Sequence, residues 1–320
     1  MKVLKLILLT YTLHLISPAV FGQNTNFNNP RNWSLNKKEF IVGIGSMSFL
    51  GDLGGRDKIG THYSPADLDF KATSLGGLIG FRYRFAPKFA TTFQTSGGMV
   101  RGSDALTEEI IRKSRNLSFR SPIVSISQRL EWIFYAQELV GAQYRIFGVR
   151  GQKDKNIQAY LFGGFGATYF NPQALYKGSW VNLRELHTEG QGLPDGPKQY
   201  GFVTAIVPMG FGIRTGLDKV WRIGLEFSYT KTFSDYIDDV STNYHSQTEI
   251  AAVYGDEAAY LSNPSVQNQS WFAEGQQRGD KHKDSYANIN IVFYKNLTYK
   301  PYNYKFGRSP KYKGGGRYKF

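Results

Sequence analysis

Val220–Phe233 reads Val-Trp-Arg-Ile-Gly-Leu-Glu-Phe-Ser-Tyr-Thr-Lys-Thr-Phe. Trp221, Ile223, Leu225, Phe227 and Tyr229 alternate with Arg222, Gly224, Glu226, Ser228 and Thr230. One face is apolar and the other carries charges and small residues, which is the period of a strand. A strand of a soluble sandwich shows its polar face to bulk water. A strand of a membrane barrel shows its apolar face to lipid and its polar face to a narrow lumen. The rest of the chain decides between the two.

The same pattern recurs. In Ala72–Phe85, Leu75, Ile79, Phe81, Tyr83 and Phe85 oppose Ser74, Gly76, Gly80, Arg82 and Arg84. Ala86-Pro87 makes a tight link to Lys88–Gly102, where Phe89, Thr91, Phe93 and Thr95 alternate. In Ser121–Phe134, Val124, Ile126, Leu130, Trp132 and Phe134 oppose Ser125, Ser127, Arg129 and Glu131. Gly201–Gly216 places Val203, Ala205, Val207, Met209, Phe211 and Ile213 on one face. Ser285–Lys295 sets Ala287, Ile289, Ile291 and Phe293 against Asn288 and Asn290. Glu39–Leu50 and Ile157–Phe170 are less clean, with apolar or glycine residues on both faces.

These segments predict an all-β fold: an eight-stranded antiparallel transmembrane β-barrel, the smallest usual bacterial size. The connections 51–70, 103–117, 172–200 and 235–284 are long, while 86–87 and 216–219 are tight. Long extracellular loops and short periplasmic turns are the barrel pattern. The link 137–156 is long on the short side. Arg82, Arg84, Arg129, Glu131, Arg222 and Glu226 are expected inside with mixed sign, closing the lumen rather than conducting.

The ends of the chain read differently. Lys2 and Lys5, an apolar Leu6–Ile16 and small residues up to Gly22 form a signal peptide over 1–22, cut before Gln23. Residues 23–38 are then an N-terminal periplasmic segment, 39–296 the barrel and 297–320 a tail. Of the net +14, two charges lie in the leader and eight after residue 294, leaving four for residues 23–294. The basicity therefore belongs to the tail. There Lys300, Tyr302, Tyr304, Lys305, Arg308, Lys311, Lys313, Arg317 and Lys319 suit an acidic partner. Such a mixture can bind single-stranded nucleic acid, but a secretory leader removes that partner. No cysteine is present, which excludes disulfide staples, thiol catalysis and Cys-ligated zinc.

Glu185, His187 and Glu189 would share a face on a strand and offer a divalent-metal set. Asp235, Asp238 and Asp239 offer hard oxygens for calcium, without the Asp-x-Asp-x-Asp-Gly loop pattern. His245-Ser246 is the nearest approach to a base and nucleophile, as in lipid-modifying barrel enzymes. Sequence neighbours on a strand point opposite ways, so no triad is assembled. Gly43-x-Gly45 lies inside a strand and opens no helix, so it is not a dinucleotide loop. No cofactor is called for.

The loop words carry a resemblance. Gly178-x-Trp180-Val181-x-Leu183 precedes Thr188-Glu189-Gly190-Gln191-Gly192-Leu193-Pro194. Then come Ile206-x-Pro208-x-Gly210-x-Gly212, Gly224-Leu225-Glu226 and Lys231-Thr232-Phe233-x-Asp235-Tyr236-x-Asp238-Asp239-Val240-Ser241. Gly51-Asp52-Leu53 stands early, and Gln277-Arg278-Gly279-Asp280 with Lys283-Asp284-x-Tyr286 stands late. In this order, over most of residues 39–294, they resemble the PorG-like outer-membrane barrels of Bacteroidota, associated with type IX secretion. The resemblance implies a non-enzymatic outer-membrane protein in contact with membrane lipid and with a periplasmic ring of PorK-like and PorN-like proteins. The basic tail is a departure from the shorter members. An outer-membrane lipid-modifying enzyme and a small-solute channel are the alternatives.

Overall fold

A computed structural model describes residues 33, 36–53, 72–107, 109–136, 157–217, 220–265, 267, 269–280 and 282–298. Eight strands form one closed antiparallel ring: β1 (Lys38–Leu50), β2 (Ser74–Ala86), β3 (Phe89–Ser103), β4 (Ser118–Ala136), β5 (Gln158–Phe170), β8 (Val203–Gly216), β9 (Trp221–Thr232) and β10 (Ser285–Asn296). Closure is made by β1 against β10, in unbroken register from Glu39↔Asn296 to Leu50↔Ser285. Closing the ring leaves no strand edge to pair elsewhere. Each segment expected from the period of two forms a strand within a few residues of its expected ends. The proposed leader, the link 137–156 and the tail residues 300–320 lie outside the described residues.

The ring is inside-out relative to a water-soluble core. Phe81, Phe93, Ile126, Leu130, Leu161, Phe211, Leu225 and Ile291 point outward and are 40–56% exposed. Meanwhile Arg82, Arg129, Glu131 and Glu226 are at most 2% exposed, inside. Such a surface suits hydrocarbon, and barrel strands meet that requirement because every backbone group pairs with a neighbour. No described helix is long and apolar enough to cross a membrane. At the short-turn end, Phe85, Phe89, Trp132, Phe134 and Trp221 form an exposed aromatic girdle, with Lys295 5.5 Å from the Trp221 ring centre. Register shifts at Arg84/Ala86 and Ile133/Tyr135 fall at this rim, where bulges help strands turn.

The long connections are not bare loops. Residues 172–200 contain a hairpin outside the ring, β6 (Gln173–Tyr176) and β7 (Ser179–Asn182). Lys177 at φ 45° and Gly178 at φ 87° make its two-residue turn, for which positive φ is required at both centres. Three short helices occupy other connections: α1 (Ile110–Arg115), α2 (Gln247–Tyr254) and α3 (Asp256–Ser262). Ala287 has the outward parity expected of it but is 3% exposed, lying between Ser48 and Tyr229 of the adjoining strands.

Ile126 sits on the outward face of β4, midway between Trp132 and Arg120. Replacing it with Lys places a charge near the bilayer centre, at a cost of about 2–4 kcal/mol. Urea titration of the barrel folded into vesicles should show that loss, while Lys at the exposed, cap-borne Ala252 should leave the midpoint unchanged. Equal midpoints for Ile126→Lys and the parent chain would contradict the outward assignment.

Candidate functional site

Two buried polar assemblies stand out, one inside the barrel and one above it. In the lumen, Glu39 of β1 is the hub. Its Oε2 accepts from Arg82 Nη1 at 2.7 Å and Arg214 Nη1 at 3.2 Å, and its Oε1 lies 3.3 Å from Arg222 Nη1. Arg82 Nε donates to Glu131 Oε2 at 2.6 Å. Arg129 holds Glu226 with both terminal nitrogens, at 2.8 and 3.3 Å. Tyr160 donates to the same carboxylate at 2.8 Å and meets the Tyr294 hydroxyl at 2.8 Å. Arg129 also stacks 4.2 Å over Phe162. Arg84 reaches the Pro87 carbonyl at the short-turn end.

All six lumen charges named from the sequence are therefore buried inside the ring. Sequence reasoning passed over Glu39, Arg214, Tyr160 and Tyr294, which complete the set. Their room comes from glycine: a Cβ on Gly212 would stand 2.4 Å from the Tyr160 hydroxyl. Toward the long-loop end, Gln94, Ser125, Ser127, Asn288 and Asn290 leave about 10 Å³ between them. That is the room for roughly one water molecule.

Above the lumen the described parts of the long connections fold into one cap. Its core joins Met47, Phe49, Val100, Phe119, Phe170 and Tyr286 of the strand ends to Leu53, Leu117, Leu183, Ile237, Val240 and Leu261. Arg278 ties it electrostatically. Its Nη1 donates to Glu189 Oε1 at 3.0 Å, its Nε donates to the Ser262 carbonyl at 3.2 Å, and its guanidinium lies 3.9 Å from Asp239. Glu189 also accepts from the Ser241 and Thr242 amides at 2.8 and 3.1 Å. Asp239 accepts from Thr188 and, at 2.5 Å, from Tyr200, whose ring stacks 4.5 Å from Tyr236. Gly190 needs its φ of 73° and its missing side chain, since a Cβ would press 2.5 Å from the His245 ring. Gln191 accepts from the Glu189 amide through its side chain, and from the Tyr254 hydroxyl at 2.9 Å through its carbonyl. Gly192 has φ 86°. Gly279 abuts Asp52, which accepts from the Asp280 amide at 2.9 Å. The separated loop words thus meet in one place.

Arg115 is the second tie, and no motif announced it. It grips Asp104 at 2.8 and 2.9 Å and donates to the carbonyls of Arg278 and Asp52 at 2.8 and 2.9 Å. A cavity of about 210 Å³ lies among Leu53, Leu117, Ala174, Leu183, Leu261, Asp238 and Arg278.

The two metal sets do not assemble as expected. Glu185 lies in a 3₁₀ turn, exposed, and His187 takes φ 51° and stacks 4.3 Å from Tyr254. Glu189 is spent on Arg278, because the segment is a turn and not a strand. Asp235, Asp238 and Asp239 diverge to Ser241, to the Leu53 and Val240 amides, and to Thr188 and Tyr200. Among the described residues, no group of three or more His, Asp or Glu is placed to hold a metal ion. His245 faces Glu249 at 3.7 Å on the first turn of α2. The tail residues proposed for partner binding lie outside the described residues.

No family model and no curated protein matches the chain. Solved structures with a similar fold include Ail, the attachment invasion locus protein of Yersinia pestis, in complex with a heparin analogue. It shares 8% identity over 81% of this chain and 98% of its own, with a TM-score of 0.34. Neisserial surface protein A matches at 6% identity, 82% and 97% coverage and a TM-score of 0.36. OprG of Pseudomonas aeruginosa matches at 11% identity, 81% and 94% coverage and a TM-score of 0.33.

Several cap carboxyls bind protons more tightly than free ones. Burial pushes Asp239 up to about 6, outweighing the Arg278 guanidinium. Burial, with Asp52, Asp280 and Glu189 near, pushes Asp235 up to about 8. Burial pushes Asp238 and Asp284 well above the ordinary range, with Asp52 and Asp235 near both and Asp238 near Asp284. A carboxyl whose folded pKa is raised stabilises the fold at and below its unfolded value near 4, and loses that contribution as pH rises through the folded value. Amide-exchange protection over residues 236–242, corrected for intrinsic rate, should be greatest at about pH 4 and fall as pH rises. The fall should be steepest up to about pH 6, where Asp239 ionises, and gentler up to about pH 8, where Asp235 ionises. Protection that rises over this range would contradict the cap's electrostatics.

Proposed function

We propose that this chain is an outer-membrane barrel that anchors or assembles an envelope complex, and that the complex is the type IX secretion machinery. The observation that carries the proposal is the filled lumen. The Glu39 network, the Arg129–Glu226 pair and the Tyr160–Tyr294 contact cross the interior where a solute would have to pass. With the interior occupied, function falls to the surfaces: the cap, the lipid-facing wall and the short-turn end. The resemblance of the loop words to PorG-like barrels names the complex.

The short-turn end is where a periplasmic partner reaches the protein. Both ends of the ring lie there, tied by the Leu297 amide to the Lys38 carbonyl at 2.8 Å and the Lys38 amide to the Thr298 hydroxyl at 2.9 Å. The basic residues of 297–320 follow directly and suit an acidic surface on a PorK-like or PorN-like ring. On this reading the protein is not an enzyme and binds no nucleic acid.

Affinity capture of the tagged full chain from detergent-solubilised envelopes tests this. Recovery of PorK-like and PorN-like proteins is expected, reduced at least tenfold when Lys300, Lys305, Arg308, Lys311, Lys313, Arg317 and Lys319 are all replaced by Gln. Recovery of neither protein with the intact chain would overturn the assignment.

A further inference from the structure

Arg101 of β3 and Arg120 of β4 are directly opposed in the antiparallel register. Directly opposed residues share a face. Their sequence neighbours Val100, Gly102, Phe119 and Ser121 are buried inside, so both guanidiniums lie on the outer wall. Like charges directly opposite one another destabilise a strand pair, and here nothing described offsets them. Arg101 is exposed and has no hydrogen bond or ion pair among the described residues. Arg120 donates to the neutral Gln173 Oε1 at 3.0 Å and stacks 3.7 Å under Trp180. Among the described residues, the acids of the connection that joins the two strands are spent elsewhere: Asp104 on Arg115 at 2.8 Å and Glu109 on Arg112 at 2.8 Å.

The height of the pair on the wall identifies what would neutralise it. Below it the outward face of β4 carries Val124, Ile126 and Leu130 down to the girdle residue Trp132, broken by Gln128, whose side-chain amide donates to Thr91 Oγ1 on β3. At about 3.3 Å per residue and a tilt of about 40°, the run from Arg120 to Trp132 spans roughly 30 Å of membrane normal. That is one hydrocarbon thickness. With Trp132 at one interface, the two arginines stand at the headgroup level of the other. Exposed Trp180, 3.7 Å from Arg120, stands at the same level, as interfacial aromatics do. The opposed guanidiniums offer paired forks suited to a tetrahedral oxyanion.

We propose that Arg101 and Arg120 clamp a headgroup phosphate of an outer-leaflet glycolipid, whose acyl chains lie along Val124 and Phe93. The inference rests on the outer-membrane reading. Fractionation of the envelope tests that reading separately from lipid binding.

Native mass spectrometry of the detergent-purified full chain, titrated with bis-phosphorylated lipid A, tests the clamp. Arg101→Gln should weaken binding several-fold and the double variant Arg101→Gln/Arg120→Gln at least tenfold. Dephosphorylated lipid A should bind the parent chain no better than lipid A binds the double variant. Folding is checked by the heat-dependent mobility of the barrel in gels. Should the double variant misfold, Arg101→Gln alone decides, since that side chain gives up no described bond. Equal binding by the parent chain and a folded variant would overturn the proposal. So would displacement of lipid A by an equal concentration of inorganic phosphate, which would make the site one for the free ion.

Discussion

Glu39 is one carboxylate facing three guanidiniums inside a closed ring. The contacts to Arg82, Arg214 and Arg222 join β1 to β2, β8 and β9 across the interior. A buried charge is tolerated only when paired and hydrogen-bonded. Here the pairing also does geometric work: it fixes which strands face each other across a lumen that has no apolar core of ordinary size. Arg82 carries the link on to Glu131, and Arg129 with Glu226 closes a second tie between β4 and β9. Breaking such a tie by removing one partner leaves the other charge uncompensated, which is the costly case.

The inverted arrangement explains the rest of the wall. With charges satisfied inside, the outer face is free to be apolar, and hydrocarbon is the solvent that suits it. The cap follows a different rule, since it meets water. It has an ordinary apolar core under the long connections, with Arg115 and Arg278 as buried pins between loops distant in sequence. Two solvents thus produce two kinds of interior in one chain.

Most of the ring was legible because the period of two is a local property. Val220–Phe233 alone reveals both faces of β9, and the tight links reveal which end is which. Glu39 was not legible. It heads a segment whose two faces both read as apolar or glycine, and its role depends on neighbours 43 to 183 residues away. Arg214 was hidden in the same way, behind the attention drawn by Ile213. The loop words showed that residues 188–192, 235–241 and 277–280 belong together, but not how. The set Glu185, His187 and Glu189 assumed a strand; the 3₁₀ turn at Leu183–Leu186 sends the three apart. The β6–β7 hairpin did carry a local signal, Lys177-Gly178 between aromatic residues, of the kind that marks a two-residue turn.

If the lumen is held shut by the Glu39 network, the protein is a solid post in the membrane and works through its surfaces. Planar-bilayer recording of the reconstituted full chain tests this most directly. The account predicts no stable conductance from the parent chain, and fluctuating openings from Glu39→Ala as Arg214 and Arg222 lose that carboxylate and draw in water and anions, while Arg82 keeps Glu131. A steady, well-defined conductance step from the parent chain would contradict it.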